Sequence, residues 1–123
     1  MHQELEHAEH HDVMRAKRSI TDIRSFVEEM PYARIAADGF ARAAFERLLQ
    51  RVSDTSRPVA ARWKSEHPAV QWSMIGGIGD ELQYAYDHVD LPVIWKIYEN
   101  DLVPLEAAID SVLATHSPKA SLP

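Results

Sequence analysis

The chain has 123 residues, of which 46% are hydrophobic and 26% charged, the balance of one globular domain and not of a disordered polymer. Thirteen Lys and Arg stand against nineteen Asp and Glu, a net charge of −6 that argues against a general nucleic-acid coat while leaving room for a local basic face. No cysteine is present, so thiol catalysis, Cys-ligated zinc and a disulfide framework are excluded.

Residues 1–11, MHQELEHAEHH, carry four His and three Glu. His7, His10 and His11 have a spacing that a helix could turn toward one metal ion, but no thiol or carboxylate elsewhere is tied to them by sequence, and a solvated tail is expected. The opening also lacks the basic and then apolar pattern of a signal peptide, and no apolar run approaches the ~20 residues of a membrane span, so the expected location is cytoplasmic, with no membrane partner.

From Val13 the pattern becomes helical. Val13, Ala16, Ile20, Ile23, Val27 and Met30 step by three and four, which predicts one buried helix face ending before Pro31. Asp38 is the expected N-cap of a second helix, on which Ala41, Phe45, Leu48 and Val52 recur at helical spacing. A short turn is expected between Pro58 and Trp63. Ile75, Ile78, Leu82, Ala85 and Val89 then predict a third long helix over about 70–88. Asp90 and Pro92 open the next, and Pro104 should kink it or restart it after Asn100-Asp101. No segment alternates as a half-buried strand would. The expectation is an all-α, up-and-down bundle of four to five helices over residues 13–115, flanked by a flexible segment 1–12 and a disordered tail 116–123.

The segment WSMIGGIGDELQYAYDHV, residues 72–89, is the unusual one. Gly76, Gly77 and Gly79 fall inside a helical pattern at a cost of ~1 kcal/mol each relative to Ala, which close approach of a second helix or subunit would offset. No strand precedes the glycines and no Lys-Ser/Thr follows them, so a phosphate-cradling P-loop is rejected. Asp80, Gln83, Tyr84 and Asp87, with Gly76 among them, project opposite the apolar stripe, as an ordinary solvated face would.

Residues 68–105 resemble the C-terminal half of HepT-like proteins, a branch of the HEPN superfamily. The resemblance rests on Pro68 and Trp72, the Ile-x-Gly step at Ile75 and Gly77, Asp80, Leu82 and Tyr86, then Val89-Asp90, Trp95, Asn100-Asp101-Leu102 and Leu105. Upstream, AAFERLLQRVSD, residues 43–54, resembles the family's Ala-x-Glu-Arg-x-Leu helix, so the likeness spans about Val13 to Leu113. It implies a dimeric all-α bundle, the toxin of a toxin–antitoxin pair, acting as a metal-independent endoribonuclease on RNA. No cofactor is implied. The implied partner is a nucleotidyltransferase antitoxin, which in related pairs adds AMP to the motif tyrosine.

The family signature runs Arg, Asn or Asp, three residues, His, one residue, Tyr. On this chain it falls on Gly79, Asp80, Tyr84 and Tyr86, so the second and fourth positions match and the Arg and His positions do not. Removing a proton from a 2′-OH suits His, with pKa ~6.5, far better than Tyr at ~10. Phosphate charge is held by the arginine fork, and glycine offers no side chain. Asp80 would repel an RNA backbone. Ribonuclease activity by the usual route is therefore expected to be weak or lost, with Tyr86 remaining as a candidate AMP acceptor or else a half-buried aromatic at a helix interface. His88, with Arg57 or Arg62 from the connector, is the alternative source of the missing chemistry, and His67 reads as a connector residue. The competing reading is a non-catalytic helical module that binds a nucleotidyltransferase or a second copy of itself.

Overall fold

The computed structural model describes residues 4–84 and 90–116, with the side chains of Gln83 and Tyr84 left aside. Among the described residues all regular structure is helical apart from one isolated bridge residue, Leu5: α1 (His7–Glu29), α2 (Tyr32–Ala37), α3 (Gly39–Ser56), α4 (Ala61–Lys64), α5 (Trp72–Tyr84), α6 (Leu91–Lys96) and α7 (Leu102–Thr115). The all-α bundle expected from periodicity is the fold. Three of the helices are short connectors or lead-ins, which is why the count exceeds four or five.

The long helix α3 is the centre. It packs against α1 on one side and α5 on the other, and α1 also lies against α7. Val13, Ala16, Ile20 and Ile23 of α1 meet Ala41, Phe45, Leu49 and Val52 of α3, all buried, with Leu102, Leu105, Ile109 and Val112 of α7 closing the core. At ~25 cal/mol per Å² of apolar surface, this contiguous burial is the main source of stability. Trp95 caps one end in an aromatic cluster, its ring 5.1 Å from Tyr32, 5.5 Å from Phe45 and 5.0 Å from Tyr98. Among the described residues no helix is long and apolar enough to cross a membrane.

Two boundaries differ from the sequence expectation. The first helix starts at His7 and not at Val13, so residues 7–12 form its opening turns and Leu5 is fully buried. A capping box explains the early start: the Glu6 backbone N–H donates to Glu9 Oε1 at 3.0 Å, and the Glu6 side chain accepts from the third helical N–H. Arg62 then clamps the segment, its Nε donating to Glu9 Oε2 at 2.7 Å and its Nη2 to the Glu4 carbonyl at 3.0 Å. At the other end His116, counted with the tail, is buried against Trp63, ring centroids 4.4 Å apart, and bonded to Glu66 at 3.0 Å.

Asp38 does cap α3, accepting from the N–H groups of Phe40 (2.9 Å) and Ala41 (3.4 Å). Asp90 occupies the cap position of α6 without a side-chain capping bond, and Pro92 sits in that helix's first turn. The disturbance expected from Pro104 takes the form of a π turn, Ile97–Asp101, in which the Leu102 N–H reaches back five residues to the Ile97 carbonyl. Proline has no N–H for the carbonyl four residues earlier, and the wider turn re-routes the ladder just before it.

Candidate functional site

The residues to which the motif resemblance points lie on α5, and their surroundings are set by the end of α3. Gly79 is buried. A Cβ there would stand 3.1 Å from Ser53 Oγ and 3.2 Å from Asp54 Oδ1. Ser53 bonds α5 twice, accepting from the Gly79 N–H at 3.0 Å and donating to the Gly76 carbonyl at 3.0 Å. The helices approach this closely because Gly76 and Gly79 present no side chain to α3. The close approach expected for the glycines is thus an intrachain contact at two of the three positions. Gly77 has open space around it, and nothing in the structure explains it.

Asp80 is exposed. The backbone of Tyr84 closes the last turn of α5, while Tyr86 and His88 lie outside the described residues. The sequence expectation therefore meets structure at positions 79 and 80, and the solvated face is incomplete. Gly76 is half-buried, with its missing Cβ only 3.2 Å from Arg57 Cγ.

Cationic groups flank this helix on one side. Arg57, just past the end of α3, donates through Nη1 to the Gly76 carbonyl at 2.9 Å and through Nη2 to Asp54 at 2.5 Å. Lys64 of α4 donates to the Arg57 carbonyl at 2.9 Å and lies over the Trp72 ring at 5.5 Å. Burial pulls the Lys64 ammonium below the ordinary lysine pKa. Arg57, Lys64, Trp72, Ser73 and Gly76 together line an open cavity of about 380 Å³. Of the two connector arginines, Arg57 touches the motif helix, and Arg62 points instead to the N-terminal segment, where it also stacks on Trp63 at 4.1 Å. His67 contributes a backbone carbonyl to Trp72 Nε1 at 3.1 Å.

Among the described residues no group of three His, Asp or Glu is arranged to hold a metal ion. Of the cations beside α5, Arg57 is bonded to Asp54 and the Gly76 carbonyl and Lys64 to the Arg57 carbonyl, while the motif arginine position itself carries no charge. Sequence periodicity could not single out Ser53 or Asp54. The available signal was the run Ser53-Asp54-Thr55-Ser56, small polar residues on a helix otherwise apolar toward the core.

A family model described as "Ribonuclease HepT-like" matches residues 16–112, and the chain belongs to that family. "Probable ribonuclease HepT" of Thermococcus cleftensis is 26% identical over 90 residues, covering 73% of this chain and 82% of the relative. "Putative RNase MJ1380" of Methanocaldococcus jannaschii is 23% identical over 94 residues, covering 76% and 86%. No solved structure gives a significant match.

Proposed function

We propose that this protein is a HepT-like, RNA-acting toxin-lineage component paired with a nucleotidyltransferase antitoxin, in which metal-independent endoribonuclease activity by the usual route is weak or lost. The observation that carries this is Gly79. The motif arginine position holds no side chain, and the space a Cβ would need is occupied by Ser53 Oγ and Asp54 Oδ1. An arginine restored there would also meet the Asp54 carboxylate, which Arg57 now neutralises. At the histidine position stands Tyr84, and tyrosine, with an ordinary pKa of ~10, is a far poorer general base at neutral pH than histidine. Loss of a general base alone lowers such rates ~10²–10⁴-fold. Tyr86 stands at the motif tyrosine and is the proposed AMP acceptor, since modification depends on recognition by the partner and not on the missing pair. A homodimer is part of the same reading.

The test is cleavage of single-stranded RNA in EDTA by the native protein, by heat-inactivated protein, and by a Ser53→Ala, Gly79→Arg, Tyr84→His variant that makes room at position 79. The native protein should cut no faster than the inactivated control, and the restored variant should cut. Native cleavage at the rate of motif-intact relatives overturns the loss. If no preparation cuts RNA or arrests growth and the native chain still complexes a nucleotidyltransferase, the non-catalytic module takes its place.

A further inference from the structure

A second groove, about 370 Å³, runs between α1 and α3. Arg15 and Arg18 of α1 and Arg51 of α3 line it, all three exposed, and among the described residues none is held in an ion pair. Its floor is polar: the Ser19 and Thr55 hydroxyls lie 2.8 Å apart with one donating to the other, and the accepting hydroxyl is left to donate to a carbonyl of its own helix, Ala16 for Ser19 or Val52 for Thr55. Two small residues where other helical turns carry Ile or Leu let the helices meet below and leave the cleft open above. The floor groups satisfy one another, so an occupant need not bond them.

Two acids line the same groove. Asp54 is neutralised by Arg57, and Asp22, one turn beyond Arg18, leaves the three arginines in excess. On α1 the groove continues past Arg15 and Arg18 to a smaller depression lined by His11 and Met14. Asp54 is the residue that the groove shares with the surroundings of the motif, since it lines the groove and stands 3.2 Å from the missing Cβ of Gly79. A chain of net charge −6 thus concentrates three guanidinium groups, none in an ion pair among the described residues, in one open groove beside Asp54.

We infer that this groove is the track for the phosphodiester backbone of single-stranded RNA, with Arg15, Arg18 and Arg51 as its phosphate contacts; this rests on the RNA-acting reading above. Guanidinium groups on facing helices suit successive phosphates of one strand, and unpaired arginines need not break an existing bond to bind. They hold the strand and do no chemistry.

The experiment measures binding of a fluorescein-labelled uridine dodecamer by anisotropy, over a range of salt concentrations, using the full chain. An Arg15→Ala, Arg51→Ala double variant is compared with an Arg34→Ala, Arg47→Ala double variant, which removes equal charge from exposed positions outside the groove. The groove double should bind at least about tenfold more weakly, and its log affinity should fall with log salt less steeply by about 1.4, some 0.7 per lost phosphate contact. The control double should keep the native slope. Equal affinities in the two doubles overturn the track and leave an RNA-acting protein. No binding by the native chain overturns both. If the groove double keeps RNA affinity but loses self-association in sedimentation, the groove belongs to a second copy of this acidic chain and the inference fails.

Discussion

Ser53 of α3 and Gly79 of α5 are joined by a 3.0 Å hydrogen bond in which a side-chain oxygen accepts from a helix backbone N–H, and the same hydroxyl donates to the Gly76 carbonyl one turn away. One side chain thus fixes where the motif helix lies along its neighbour. Ser53→Ala should cost about 1–3 kcal/mol, because it strips a buried partner from two α5 groups. Urea denaturation checks this, and an unchanged midpoint would show that the helix ladder alone satisfies both groups.

The glycines of α5 should separate by their surroundings. Gly77 faces open space, so Gly77→Ala should recover the helix propensity of about 1 kcal/mol and raise Tm by several degrees. Gly79→Ala gains the same propensity but drives its Cβ to 3.1 Å from Ser53 Oγ. Calorimetry should therefore rank the Gly77 variant above native and the Gly79 variant clearly below the Gly77 variant.

Apolar burial and surface charge between α1 and α7 should differ sharply in weight. Lys17 reaches Asp110 at 2.9 Å and Glu106 at 3.6 Å, and its pKa is raised chiefly by the Asp110 bond. With side chains one-third to one-half exposed, the pair with Asp110 is screened, and Lys17→Met should cost less than about 1 kcal/mol. Leu105→Ala, which leaves a hole beneath the same helix pair, should cost about 2–5 kcal/mol. Both are read from denaturant midpoints.

The Arg62 clamp should be sensitive to acid. Hydrogen bonding to the Arg62 guanidinium holds the Glu9 carboxyl below its ordinary value of 4.5. A carboxyl whose pKa is depressed on folding adds stability above its unfolded pKa and loses it as the pH falls through the folded one. Native protein should therefore melt higher than a Glu9→Gln variant at neutral pH, and the gap should close below about pH 4.5. A gap that persists at pH 2 would mean that Glu9 contributes through packing and not through its charge, and no gap at neutral pH would mean that Gln keeps the contact.

The core was legible because it depends on spacing. Val13 to Ile23, Ala41 to Val52 and Leu102 to Val112 carry apolar residues at steps of three and four, and those are the faces that pack. What escaped depends on contacts between residues far apart in sequence. Leu5 reads as part of a polar tail until Arg62, more than fifty residues on, holds Glu9. His116 reads as a loose end until Trp63 and Glu66 are beside it. The motif could be placed on a helix from spacing alone, but that α3 fills position 79 with Ser53 and Asp54 is information held only by the packed pair. The arginine groove was invisible for the same reason, since Arg15, Arg18 and Arg51 are routine surface residues on their own helices.

The π turn at Ile97–Asp101 fixes the length of that segment to the single residue. A π turn holds one residue more than an α turn, and each residue of an α-helix advances ~100° around the axis. Deleting one residue there would straighten the helix and spin everything after it by roughly that angle, swinging Leu102, Leu105, Ile109 and Val112 away from α1. Among homologous chains this stretch should tolerate exchange of residues far better than any change in their number.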